Sequence, residues 1–340
     1  MNVIIPMAGW GTRLRPHTLT VPKPLIKIAG KSVVEHLIDE IDQSVEYPVE
    51  QLVFIIKPQF GKQIEKLLYD IGKKIKIPAR LVYQDEALGT AHAVWMAKDY
   101  LKGKVFIAYA DTLFKGKIEI DPDGDATVVV KQVPNPEQFG VVKLDEKQKK
   151  IVYFLEKPRT FVSNLAIVGF YYFKQAEILR DEIQYLIEND IRKSGEYQLT
   201  DALINMLEKG YVFKPATIEK WMDFGNKNAA VQTNAEILKL LSGTKRKPND
   251  NSSQITDSQI IEPCYIGKNV LIKNARIGPF VSIEDGTVIE NAQIENSIIG
   301  ASVHIQNARF QNSMLGNFVK IKDLDSSLNL DLGDYSKIGY

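Results

Sequence analysis

Four copies of the pattern [IL]-G-x-x-V-x-I stand between residues 266 and 321: IGKNVLI from Ile266, IGPFVSI from Ile277, IGASVHI from Ile299 and LGNFVKI from Leu315. A second pattern, I-x-N-A-x-[IF], starts at Ile272, Ile289 and Ile305, so its copies are 17 and 16 residues apart. That spacing is one coil of a parallel β-helix of hexapeptide type, in which inward Ile and Val are buried only by the coils above and below. Asn and Gly at the corners supply the positive φ such turns need. An antiparallel sandwich of short strands does not repeat at this period. The patterns account for about four coils and leave the segment from Asp323 to Tyr340 open as a last irregular coil, a cap or a strap.

Upstream the texture is different. Short β-branched and aromatic runs (LVFII, KVFIAYA, ATVVVKQV, NLAIVGFYYF) alternate with helical stretches at Ser32 to Ile41, Ala91 to Leu101 and Leu199 to Lys209. This alternation predicts an α/β layer fold on a mostly parallel sheet. LSGTKRKPNDNSS, from Leu241, is polar and rich in Pro, Gly, Asn and Ser, and reads as a linker. The expected domains are therefore residues 1–240, a linker at 241–254, and a β-helix with its tail at 255–340.

Composition narrows the partners. The 43 basic and 42 acidic residues of the 340 nearly cancel, which gives no electrostatic footprint for nucleic acid or an anionic membrane. One cysteine, Cys264, cannot form an internal disulfide, and no stretch is apolar for the roughly 18 residues a membrane span needs. No signal-peptide pattern opens the chain. The expectation is a cytoplasmic protein that binds small molecules.

The chemistry concentrates in AGWGTRLRPHTLTVPKPL, Ala8 to Leu25, which follows the apolar run NVIIPM. Strand, glycine-rich loop and helix is an arrangement in which free N–H groups and a positive helix end gather phosphate. A dinucleotide fingerprint fails, because its third glycine would fall at Leu14. A P-loop ending at Gly30-Lys31-Ser32 also fails, since Leu25 stands where its first glycine belongs; the triplet reads as a turn and helix cap. In the remaining reading Gly9 and Gly11 let the backbone approach a triphosphate, Arg13 and Lys23 supply charge to a pyrophosphate leaving group, and Pro22 and Pro24 stiffen the backbone around the lysine.

This stretch resembles the nucleotide-binding loop of the sugar-1-phosphate nucleotidyltransferases, with pattern G-x-G-T-R-L-x-P-x-T followed by P-K-P; Ala8 stands where many members have glycine. The resemblance runs on in order through Gln84, Leu88-Gly89-Thr90-Ala91, Asp111, Phe139-Gly140-Val141-Val142, Glu156-Lys157-Pro158, Ser163 to Tyr171, Gly195-Glu196, Leu199-Thr200-Asp201 and Trp221-Met222-Asp223-Phe224-Gly225. It implies a Rossmann-like mixed α/β sheet followed by a short left-handed parallel β-helix. By the same resemblance Ala8, Gly9, Gly11, Thr12, Arg13, Gln84 and Gly89 bind the nucleotide, and Gly140, Glu156, Lys157, Asn164, Ile167 and Tyr171 bind the sugar phosphate. Asp111 and Asp223 then hold Mg²⁺, a hard ion suited to two carboxylates with water and phosphate as the other ligands. Arg13, Lys23 and Lys157 are the expected catalytic cations.

Glutamine at position 84 resembles uridylyl and thymidylyl members, which points to UTP or dTTP with glucose 1-phosphate, against GTP with mannose 1-phosphate. Ser194 replaces an arginine frequent in thymidylyltransferases, leaving Arg192 or Lys193 as substitutes. A non-catalytic sugar-nucleotide sensor is the rival outside enzymology, and it would be expected to lose the arginine, lysine or metal carboxylates that are all present here. Hexapeptide helices also serve acyltransferases with a histidine base; His304 is the one histidine in the repeats, and the helix is short. Assembly into a homo-oligomer, or regulation, is the favoured role for the β-helix.

Overall fold

The computed structural model describes residues 1–242 and 252–339, and the side chains of all of these except 325–327. Most of the expected linker, 243–251, lies outside the described residues. Contacts divide the chain into two compact units, Met1–Gly9 with Leu37–Trp221, and Trp10–His36 with Met222–Tyr340. The units cut the chain differently from the sequence segments, because Trp10–His36 groups with the β-helix region.

The first unit is built on nine strands: β1 Asn2–Pro6, β2 Gln51–Ile56, β3 Ala79–Tyr83, β4 Val105–Ala108, β5 Ala126–Gln132, β6 Gly140–Leu144, β7 Ile151–Glu156, β8 Leu165–Phe173 and β9 Phe213–Thr217. Their order is β3-β2-β1-β4-β8-β5-β9-β7-β6. β3, β2, β1 and β4 run parallel, and so do β5 and β9. β8 runs antiparallel to both its main neighbours, as β7 does to β9 and β6. The sheet is therefore mixed, where alternation alone had pointed to a mostly parallel one. The cause is visible in burial: β8 is as continuously apolar as β2 or β4, and a strand covered on both faces looks alike in either direction. Ile4, Val53, Ile107, Val128, Phe173 and Phe213 lie in a core packed by helices including Ala176–Glu188 and Leu199–Glu208.

In the second unit the coils stack into three parallel columns, the second and third being spanned together by single long strands such as Val288–Glu295 and His304–Gln311. Ile266, Ile283, Ile299, Leu315 and Leu332 are in register down one column. Ile255, Ile272, Ile289, Ile305, Ile321 and Ile338 form the second. Ile260, Ile277, Ile294 and Phe310 lead the third. The inner Ile residues are dry because of the coils on either side, whereas Ile255, in the end coil, is exposed. The corners carry Asn274, Asn291 and Asn307 at φ of 48–52°, joined into a ladder that ends on Asp323 through hydrogen bonds of 2.7–2.9 Å. The open question of the tail has a plain answer: Asp331–Leu332 pairs with Met314–Leu315 and Lys337–Ile338 with Lys320–Ile321, which adds a further coil. Among the described residues no helix is long and apolar enough to cross a membrane.

Phe310 is 1 % exposed inside this stack. Phe310→Ala should cost about 3–5 kcal/mol and lower the midpoint of the β-helix unfolding transition, read by thermal or denaturant melting; an unchanged midpoint would contradict the column packing.

Candidate active site

In the second unit the glycine-rich loop is a chain of short 3₁₀ turns, Thr12–Leu14, His17–Leu19 and Lys23–Leu25. Gly11 sits at φ 62°, and a Cβ there would lie 3.0 Å from Cβ of Lys23 and 3.1 Å from Cγ2 of Thr18, so only glycine allows this approach. Thr18 donates its hydroxyl to the Gly11 carbonyl at 2.9 Å. The loop thus brings Gly11 and Lys23 together, with Lys23 buried and Arg13 and Arg15 exposed. After it, Lys27–Ile28 pairs with Lys31–Ser32 as a small hairpin, and Ser32 and Glu35 form a reciprocal capping box at the start of the helix Val33–Ser44. The reading of Gly30-Lys31-Ser32 as turn and cap matches this geometry.

The loop rests on the β-helix through polar groups. Ser282, fully buried, donates its hydroxyl to Asn234 Oδ1 at 2.6 Å and accepts the Ala29 amide at 3.2 Å. Glu284 accepts the Gly30 amide at 3.2 Å, with Lys27 3.9 Å away. His17 Nε2 lies 2.8 Å from Asp331 Oδ1, and Thr20 donates to Asp334 Oδ2 at 2.8 Å. Asp223 is exposed in the same unit; Thr233, on the helix Lys227–Ser242 that also carries Asn234, donates to its carbonyl at 2.6 Å.

In the first unit Ala8 is buried, and a Cβ on Gly9 would meet nothing within 4 Å. Gln84, just beyond β3, is buried, and its Nε2 reaches the Gly89 carbonyl at 3.5 Å and His92 Nδ1 at 3.2 Å. Gly89, at φ 110°, lies so close to Tyr197 that a Cβ would sit 2.4 Å from its carbonyl oxygen. The structure thus brings Gln84 and Gly89 together, and adds His92. Burial pushes the His92 pKa down, against a smaller opposing effect of Glu86, so the neutral ring accepts from the amide. Its only signal in the sequence was a position three residues after Gly89.

A second cluster forms where β6, β7 and β8 meet. Gly140 is paired with Glu156, and a Cβ on Gly140 would lie 2.9 Å from Glu156 Oε2 and 3.2 Å from Ile167 Cδ1. Thr200 donates its hydroxyl to the same Oε2 at 3.0 Å. A bulge in β8 between Ile167 and Tyr171 leaves both side chains buried, with Tyr171 edge-on to Tyr109 at 6.3 Å. Burial holds the Tyr171 phenol well above its usual pKa. Lys157 is exposed, at a left-handed φ of 43°, and Asn164 is exposed at the start of β8. Asp111 is exposed after β4. Arg192 and Lys193, the candidate substitutes for a missing arginine, are engaged within the chain: Arg192 with Asp190 and the ring of Tyr197, and Lys193 with Asp201. His304 is exposed on its coil.

A family model described as nucleotidyl transferase matches residues 2–239. The bifunctional protein GlmU of Methanococcus maripaludis is 31% identical over 337 residues, spanning 89% of this chain and 78% of that protein. The low-salt glycan biosynthesis nucleotidyltransferase Agl11 of Haloferax volcanii and the glucose-1-phosphate thymidylyltransferase of Streptomyces antibioticus are each 30% identical, spanning 88% of this chain and 87% of each relative. The chain belongs to the nucleotidyl transferase family and is an enzyme of that class, as the resemblance of its loop implied.

Glu284 offers a test of the loop's support. Its carboxyl is pushed up to about 7, first by burial and then by Asp285 and Glu35, against the pull of Lys27 and the Gly30 amide. A folded pKa above the unfolded one means that stability is fully present below the unfolded value and is lost as pH rises towards the folded one. Glu284→Gln keeps an acceptor for Gly30 and removes the titration. Unfolding free energies from denaturant titration should match the parent at about pH 4 and exceed it at about pH 8 by up to roughly 3 kcal/mol; parallel curves would show that Glu284 does not titrate in this way.

Proposed function

We propose that the chain transfers the nucleotidyl group of UTP or dTTP to glucose 1-phosphate, with release of pyrophosphate. The carrying observation is the loop itself: Gly11 held in the left-handed region against Lys23, with Arg13 exposed beside it. Open space at Gly9 leaves the neighbouring backbone approachable. The name of the Streptomyces relative supports the same choice of substrates.

In this reading an oxygen of the sugar phosphate attacks the α-phosphorus in line, the new P–O bond forms, and the bond to the β-phosphate breaks. No protein nucleophile is needed. Arg13 neutralises the departing phosphates, Lys23 reaches the α-phosphate, and Lys157 orients the attacking phosphate. Gln84 and Gly89 present an amide and a carbonyl to the base edge, with His92 fixing the amide. Glu156, held by Thr200 in the space Gly140 leaves, accepts from sugar hydroxyls alongside Asn164, Ile167 and Tyr171. Asp111 and Asp223, both exposed carboxylates, are hard oxygen donors of the kind Mg²⁺ takes alongside water and phosphate, and would hold it. When bound, the ion supplies charge neutralisation to the phosphates.

The test is pyrophosphate release across UTP, dTTP, GTP, CTP and ATP against glucose, mannose and N-acetylglucosamine 1-phosphates, with and without Mg²⁺. Turnover only with GTP would keep the reaction and discard the base assignment, and silence with every pair would favour a sensor. Lys23→Ala should lower kcat at least 100-fold, about 3 kcal/mol of barrier; near-normal turnover would overturn the mechanism. Thr200→Val should raise the KM for the sugar 1-phosphate several-fold and leave that for the NTP unchanged, because it frees Glu156 alone; equal effects on both would discard the role of Glu156.

A further inference from the structure

We propose that the last coil of the β-helix positions the phosphate loop, so that Asp331, acting through His17, and Asp334, acting through Thr20, are positioning residues for binding of the nucleoside triphosphate. The inference rests on the reading of Ala8 to Leu25 as the triphosphate loop.

The loop is pinned to the β-helix at two places. One pin is the hairpin, where Ala29 and Gly30 donate their amides to Ser282 and Glu284 of an early coil. The other is the turn His17–Leu19, which meets the last coil through Asp331 and Asp334. Gly11, Arg13 and Lys23 are the residues whose geometry these pins control. The path is short and covalent where it matters. Thr18 follows His17 directly, donates to the Gly11 carbonyl at 2.9 Å, and packs its methyl 3.1 Å from where a Gly11 Cβ would be. Thr20 stands three residues before Lys23.

Both carboxylates are placed for the task. His17 is 4 % exposed, so its ring cannot exchange Asp331 for water without opening the turn. Asp334 is itself fixed by the coil, since its Oδ1 accepts the Asn317 amide at 2.7 Å while Oδ2 takes the Thr20 hydroxyl. Leu14 and Leu25 anchor the loop by burial, but the turn His17–Leu19 between them meets the coil through polar groups, and preorganised donors gain affinity by not having to be ordered on binding. The coil supplies that order from outside the loop.

Burial pushes the His17 pKa down against the opposing pull of Asp331, so at neutral pH Nε2–H donates from an uncharged ring. A carboxamide at position 331 therefore accepts the same hydrogen bond, which makes Asp331→Asn the rescue for Asp331→Ala. Thr20→Val is the independent variant, at an exposed position that leaves the coil intact.

The full chain is assayed with UTP and dTTP as Asp331→Ala, Asp331→Asn, Thr20→Val and Lys23→Ala, and each is melted. Asp331→Ala should raise the KM for the triphosphate about tenfold, with the KM for the sugar 1-phosphate and the Tm near those of the parent, and Asp331→Asn should return it to within about twofold. Thr20→Val should act in the same direction on the same constant, and it decides the matter if Asp331→Ala fails to fold. An unchanged triphosphate KM beside an inactive Lys23→Ala overturns the proposal and leaves the loop's function standing. A fall in Tm with both KM values unmoved overturns it too, as the mark of a scaffold. An active Lys23→Ala removes the reading on which the proposal rests.

Discussion

The Ser282 hydroxyl, fully buried, joins three parts of the second unit: the β-helix that carries it, Ala29 in the hairpin that follows the glycine-rich loop, and Asn234 on the helix Lys227–Ser242. A buried polar group costs free energy unless it is paired, and Ser282 and Asn234, both fully buried, pair with each other. The residue just before Asn234, Thr233, donates its hydroxyl to the carbonyl of Asp223. A proposed phosphate loop and a proposed metal carboxylate are thus referred to one rigid stack of coils, and that stack exists only because its Ile columns bury one another.

The arrangement gives the β-helix work beyond capping a chain. Its face of short strands, Cys264–Ile266 through Asp331–Leu332, sets polar groups against the loop and the hairpin after it from an early coil and from the last, while Arg13 and Arg15 stay exposed. Pinning the backbone limits how far the exposed Arg13 and Arg15 can wander without desolvating them, while Lys23 is held buried.

Much of this was legible early. The coil period, the corner asparagines and the long loop motif each carry a local physical reason, and each stands where it was expected. Gln84 lies beside Gly89 and Gly140 beside Glu156, which fits the grouping the resemblance implied, since each pair sits at the ends of adjoining strands or turns. His92 was missed because a histidine on a helix carries no mark of what faces it. The pairings of Arg192 with Asp190 and of Lys193 with Asp201 were not legible, since nothing local announces them. The direction of β8 was illegible because an apolar run buried on both faces reads the same parallel or antiparallel. The outermost strands, Gln254–Thr256 and Lys337–Ile338, escaped the pattern because end coils have one neighbour and tolerate weaker repeats.

By itself the sequence determined the coil, the layer fold and the chemistry of the loop, because glycine conformations, periodic burial and fixed charge are properties of short stretches. Tertiary structure alone decided what holds that loop. Asp331 is 314 residues from His17, and Ser282 is 253 from Ala29, and no local preference of either member announces the other. Such contacts are written by stacking and register over the whole chain, where the free energy of burial is collected and where a serine or an aspartate of an ordinary coil acquires a partner.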